Sequence, residues 1–285
     1  MGNEERQVLI ISGADSLNVL LGNPTNFKSL EAKKSLEAKG LTVTMVGKGN
    51  GEDISEQEID DAISAMSTDK KLTVIVDCHG KMERGEFKFI LGDNQKISSK
   101  ELFSKLKEKF GDMPIDIISP ACYGGGMMWD RDILPEGSVL VSLTNAQKVN
   151  SGGDFMALEQ DLDNFSEDVT AYNLLQFFLQ KHLKNRFEPQ ISISGGSIYN
   201  LNEVYLDYVR RSQNNRPGFE LKNLDKVYDQ KKMSEVLDKL NNAEREYDIV
   251  ALEYGSALSI LLDHMAEITP ELKGSTIQKH FGKSE

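Results

Sequence analysis

Short apolar runs alternate along most of the chain with longer amphipathic stretches, and glycine or small polar residues separate them. Val8-Leu9-Ile10-Ile11, ended by Ser12-Gly13, reads as a buried strand. Pro24 to Lys39 reads as a helix, with Asn23 as N-cap and Gly40 as C-cap. Within it Ser29 to Lys34 is echoed by Ser35 to Gly40, a period too short for a repeat architecture. Leu41 to Val46 alternates as a strand does, and Gly47 to Asp53 is a glycine-rich loop. Ser55 to Met66 opens with a capping box, Ser55 and Glu58, and reads as a helix. Leu72 to Val76 is the strongest strand signal. Glu86 to Leu91 follows as a strand turned by Gly92-Asp93-Asn94. Ser98 to Phe110 is a helix with a second capping box, Ser98 and Glu101. Ile115 to Ser119, Ser138 to Leu143 and Gln190 to Ser194 read as strands, and Asp168 to Asn185 as a helix.

Strands separated by helices imply βαβ units, hence an α/β fold with a mostly parallel sheet. Ligands bind such sheets beyond the carboxyl ends of the strands. From about Asn200 the strand signals fade. Gln213 to Gly218 reads as a loop, and Leu221 to Tyr247 as an amphipathic helix with Val227, Met233, Val236, Leu237 and Leu240 on one face. Asp248 to Ile268 reads as a further helix before a frayed tail. The expected organisation is an α/β domain over 1–200 and a helical region over 201–285.

Composition narrows the function. The 285 residues are 39% apolar before 23 glycines are counted, enough for a large core. A net charge of −12 argues against binding nucleic acid or anionic membrane surfaces. No apolar run is long enough to span a bilayer, and the N-terminal residues lack a signal-peptide core, so a cytoplasmic location is expected, with non-classical export left open. His182, His264 and His280 lack metal-ligand spacing, so no metal is expected. Gly47 to Gly51 is no Walker A loop, Gly124 to Gly126 lacks the dinucleotide pattern, and no G-x-S-x-G occurs, so no cofactor is expected. Two cysteines exclude a disulfide scaffold and raise the question of a nucleophile.

That question centres on Cys122. Asp77-Cys78-His79-Gly80 follows one apolar strand, and Pro120-Ala121-Cys122-Tyr123-Gly124-Gly125 follows another. If these strands are neighbours, a thiol and an imidazole meet at one sheet edge, the minimal nucleophile–base arrangement. Glycine at 80 admits close backbone approach, and the N–H groups of Gly80 and Cys122 would form an oxyanion hole for acyl transfer. Asp77, two residues before His79, would project to the same side on an extended strand. Cys78 would face the core, although a regulatory disulfide with Cys122 is conceivable. Trp129, beside Met127 and Met128, reads as pocket wall or core.

A hydrophobic strand ending in His79-Gly80, then a core strand ending in Ala121-Cys122, resembles the caspase/hemoglobinase-fold cysteine peptidases. That group holds the caspases, metacaspases, legumain, clostripain, gingipains and separase. The insert between the motifs, a hairpin over Phe87 to Asn94 and then a helix, also fits, and the resemblance covers roughly residues 5 to 200. It implies a caspase-like three-layer α/β/α sandwich and a cysteine endopeptidase acting on peptide or protein substrates. Cys122 would be the nucleophile and His79 the general acid/base. The S1 pocket would come from Ser12 to Ser16, Cys122 to Met128, and Ser142-Leu143-Thr144-Asn145. Asp15 is the carboxylate of that set and would favour a basic P1 residue. Asp154 is a further candidate. Pro120 stands where trypsin-like members carry an acid before the cysteine, and the glutamine that caspases place before Ala-Cys is absent. Autoprocessing would fall near Lys148 or Gly153-Asp154. The alternatives are a catalytically idle caspase-like scaffold and a ligand-triggered self-cleaving domain. The second needs a basic pocket that the charge pattern does not offer. A small-molecule α/β binding protein stands if the glycines serve phosphate. The sequence sets neither the subfamily nor the oligomeric state.

Overall fold

The computed structural model describes residues 6–13, 26–47, 53–144, 146, 162–165, 167–181, 189–202, 255, 258–263, 265–267 and 269–273. The elements, in chain order, begin with β1 (Arg6–Ser12), α1 (Asn26–Ala38), β2 (Thr42–Val46), α2 (Glu56–Ala65) and β3 (Lys71–Asp77). A second set follows: β4 (His79–Glu83), β5 (Glu86–Ile90), β6 (Lys96–Ser98), α3 (Ser99–Phe110) and β7 (Ile115–Ser119). A 3-10 helix (Gly124–Ile133), β8 (Val139–Ser142), α4 (Ala171–Lys181), β9 (Gln190–Ile193) and β10 (Ile198–Asn200) complete the main body.

Seven strands form one sheet in the order β10-β9-β8-β7-β3-β1-β2. The pairs β1–β2, β1–β3, β3–β7 and β7–β8 are parallel, while β8–β9 and β9–β10 are antiparallel. Strand side chains alternate between two cores. Val8, Ile10, Ile75, Ile118 and Val141 pack with Leu36 of α1 and Leu175 and Phe178 of α4. Leu9, Ile11, Val74, Val76 and Ile117 pack with Ile59 and Ile63 of α2 and Leu102, Phe103 and Leu106 of α3. A sheet covered on both faces needs apolar residues at every strand position, so these strands read as continuous runs. The expected mostly parallel, three-layer α/β architecture is the one observed.

Both capping boxes form: the Ser55 and Ser98 hydroxyls accept the N–H groups of Glu58 and Glu101, and those glutamates reach back to the cap N–H groups. The hairpin differs from its expected form. The strand at 86–90 pairs with β4, and the turn between them is Arg84-Gly85, at φ 53° and 84°. Two positive φ values mark a two-residue I′ connection. Strand β4 carries no apolar run and is half-buried on either side of the exposed Lys81, so no strand signal shows in its residues. Beyond β5, Leu91 donates its N–H to the Gln95 carbonyl and leads into β6. Met127 and Met128 are core, whereas Trp129 is 56% exposed and so is not core.

Beyond residue 202, Leu258, Leu261, Leu262, Met265 and Leu272 are buried in the same core as α1 and α4. Tyr172 donates to Asp263 at 2.7 Å and Gln176 to the Ser259 carbonyl at 3.0 Å. The helix expected over Leu221 to Tyr247 lies outside the described residues.

At the amino edge of the sheet sits a buried ion pair. Arg6 donates through Nη1 to Asp116 at 2.6 Å and to the Thr73 hydroxyl at 2.8 Å, with both charged side chains about 5% exposed. Burial pushes the Asp116 carboxyl up and the Arg6 guanidinium draws it back. The Thr73 hydroxyl donates in turn to the Val169 carbonyl, tying in the approach to α4. Removing one partner leaves an uncompensated buried charge, so Arg6→Ala should cost about 3–5 kcal/mol in urea unfolding. Arg6→Met combined with Asp116→Leu should recover most of that loss.

Candidate active site

Strand β3 ends at Asp77, the chain bends at Cys78, and His79 opens the second sheet. The alternation that put Asp77 and His79 on one side of an extended strand therefore stops between them. Asp77 lies opposite Ser12 of β1 in register. Its carboxyl accepts a hydrogen bond from the Ser29 hydroxyl of α1 at 2.8 Å, and its carbonyl accepts the Gly13 N–H at 3.0 Å. Burial pushes that carboxyl up to about 6 against the pull of Ser29. Cys78 belongs to the core beneath α2 and α3. Its thiol is pushed up by burial first, then by the nearby Asp77 carboxylate, and also by Cys122.

Strand β7 runs beside β3 and delivers the second motif to the same edge. The Ser119 hydroxyl donates to the Val76 carbonyl at 2.9 Å and accepts the Ala121 N–H at 3.2 Å. This ties the end of β7 to the end of β3. The next four residues form a tight turn, in which Gly124 donates its N–H to the Ala121 carbonyl at 3.0 Å. Cys122 is the second residue of the turn and is half-buried. Tyr123, the third, is left-handed at φ 58°, ψ 16°. A negative φ followed by a positive one is the type II pattern, whose third position favours glycine.

The two motifs touch. A Cβ added at Gly80 would lie 2.1 Å from the Cys122 carbonyl oxygen and 2.8 Å from the Phe87 ring. No side chain larger than hydrogen fits there. The glycines after the cysteine pack in the same way. A Cβ at Gly124 would lie 2.5 Å from the Ser142 hydroxyl, and one at Gly126 would lie 2.7 Å from the Met82 sulfur. These glycines press against β8 and the β4–β5 hairpin, which is a packing role and not a phosphate cradle.

Of the S1 candidates, Ser142 and Thr144 are buried, and their hydroxyls bond inward. Ser142 donates to the Thr144 carbonyl at 2.8 Å, and Thr144 donates to the Ala121 carbonyl at 2.8 Å. Asp15, Asn145 and Asp154 lie outside the described residues, as do Lys148 and Gly153. Sequence reasoning missed Ser119 and the inward use of Thr144. The only available signal was a hydroxyl residue at each strand end. Among the described residues, no group of three His, Cys, Asp or Glu side chains is placed to hold a metal, and no helix is long and apolar enough to cross a membrane.

No protein-family model matches the chain, and no curated protein matches it by sequence. Solved structures do match. The chain is similar to caspase-1 from Spodoptera frugiperda at 18% identity and a TM-score of 0.45, over 68% of this chain and 88% of that one. It is similar to the Drosophila initiator caspase Dronc at 8% identity and the same TM-score, over 68% of this chain and 82% of that one. The α/β architecture itself rests on the strand order and on the hairpin-and-helix insert between β3 and β7.

Two outcomes follow from this geometry. Gly80→Ala should destabilise the protein by roughly 1–3 kcal/mol in urea unfolding, because the methyl group meets backbone that cannot move aside. Asp77 gives a pH signature. A folded pKa raised to about 6 means that its contribution is fully present below the unfolded value, near 3.9, and is lost as pH rises through 6. Relative to Asp77→Asn, the parent should therefore lose stability between about pH 4 and 6, by up to roughly 3 kcal/mol, in urea titrations across that range.

Proposed function

We propose that this chain is a cysteine endopeptidase with Cys122 as nucleophile and His79 as general acid/base. The observation that carries the reading is the contact of Gly80 with the Cys122 carbonyl. It brings two motifs that are distant in sequence to the carboxyl edge of one sheet. There a histidine follows β3 and a half-buried cysteine follows β7.

In this reading a substrate peptide lies across that edge. His79 takes the Cys122 thiol proton as the sulfur attacks the scissile carbonyl carbon, and the N–H groups of Gly80 and Cys122 hold the resulting oxyanion. Collapse breaks the C–N bond, and His79 protonates the departing amine. Water then attacks the thioester while His79 accepts its proton. Collapse breaks the C–S bond and His79 returns the proton to the sulfur, which leaves a free carboxyl group and the regenerated thiol. The chain supplies all of these groups, and no cofactor enters the scheme. A peptide or protein is the substrate, with Asp15 and Asp154 as candidates for recognising a basic P1 side chain.

The idle-scaffold alternative is weakened by the presence of both reactive side chains at the edge. The phosphate-binding alternative is weakened by the packing of Gly124 and Gly126 against protein atoms. Purified protein should cleave members of a fluorogenic peptide pool with varied P1. Cys122→Ala and His79→Ala should each lower the rate by at least about 10³-fold, as removal of a nucleophile or its base does elsewhere. A parent that cleaves nothing, or variants that cleave as well as the parent, would count against the proposal.

A further inference from the structure

The turn that carries Cys122 is closed by a side chain from the segment after another strand. Thr144 follows β8 and is 1% exposed. Its hydroxyl accepts the Gly124 N–H at 2.9 Å and donates to the Ala121 carbonyl at 2.8 Å. A threonine hydroxyl has one proton to give, and here that proton is committed inward. The two bonded groups flank Cys122 and Tyr123 on either side. They also bond each other at 3.0 Å, so Ala121, Gly124 and Thr144 form a closed triangle at the base of the turn.

Thr144 is itself held. Its N–H donates to the Ser142 hydroxyl at 3.2 Å, and that hydroxyl donates to the Thr144 carbonyl at 2.8 Å. Gly124 lies so close to the Ser142 hydroxyl that no Cβ fits between them. The clamp acts on a turn that needs one, because Tyr123 occupies left-handed backbone without being glycine. Such a residue persists only where its surroundings over-determine it, and such positions cluster at active sites.

We infer that Thr144 is a positioning residue: its hydroxyl fixes the Cys122 turn and so sets the attitude of the thiol and of the Cys122 N–H. This rests on the peptidase reading above. It gives Thr144 a role on the backbone of the nucleophile turn instead of one on the substrate's P1 side chain.

The test compares Thr144→Val, Thr144→Ser and the parent in two measurements. Valine keeps the shape and removes the hydroxyl, and Gly124 N–H keeps the Ala121 carbonyl, so no buried donor is orphaned. In hydrogen exchange, the Gly124 amide of Thr144→Val should exchange at least about tenfold faster than in the parent, because a local bond that resists opening is lost. Thr144→Ser should stay close to the parent. In peptidase assays, Thr144→Val should lower kcat on the order of 10- to 100-fold with KM and P1 preference little changed, the pattern of a displaced reacting group. Thr144→Ser should restore most of kcat.

Unchanged Gly124 exchange in Thr144→Val overturns the clamp. Faster exchange with unaltered kcat overturns its positioning role. A changed P1 preference overturns the assignment in favour of a pocket-lining role. Losses in valine and serine variants alike that track their thermal midpoints reduce Thr144 to a structural residue. A parent without peptidase activity sinks the peptidase reading and the catalytic half of this inference, while the exchange measurement still decides the clamp.

Discussion

The site depends on one steric constraint, the approach of the Gly80 backbone to the Cys122 carbonyl. Parallel pairing of β3 and β7 brings the strand ends side by side, and the Ser119 hydroxyl fastens them by bonding to Val76. The chain then departs in two directions. After Cys78 it turns out into a second sheet, and after Ala121 it makes a tight turn. Only a glycine at 80 lets the first departure pass over the second. A side chain there would separate the elements that hold the histidine and the thiol.

The turn that carries Cys122 stores strain that its neighbours hold in place. A non-glycine residue in left-handed backbone costs on the order of 1–3 kcal/mol. The Thr144 hydroxyl, the Ser142 hydroxyl and the packing of Gly124 and Gly126 meet that cost locally. Two cores of apolar side chains, one on each face of the sheet, hold the strands that present these groups. The core under α1 and α4 extends to Leu258, Leu262 and Leu272, so part of the region after residue 200 shares the packing of the sheet.

The sequence made the doubly covered sheet legible, because strands buried on both faces must be apolar throughout. Both capping boxes were legible too, since each is a local pairing of a serine with a glutamate three residues on. Strand β4 was not legible. It is polar and half-buried, and its pairing with β5 depends on backbone and on the Arg84-Gly85 turn. His79 and Cys122 stood out through their places after strong strands, but the bend at Cys78 could not be read. A bend at the end of a strand leaves no periodic trace. Thr144 was seen as a candidate, but its direction was hidden, because inward bonding arises from the fold of the distant Ala121–Gly124 turn.

The central claim is that Cys122 is a nucleophile within a peptide-binding site. Labelling the parent with a pool of peptidyl acyloxymethyl ketones that differ at P1, followed by intact mass and peptide mapping, tests it most directly. The account predicts one adduct per chain, on Cys122 and not on the buried Cys78, with rates that vary with P1 by more than about tenfold. Labelling of Cys122 at the rate of a free thiol, indifferent to P1, would contradict it.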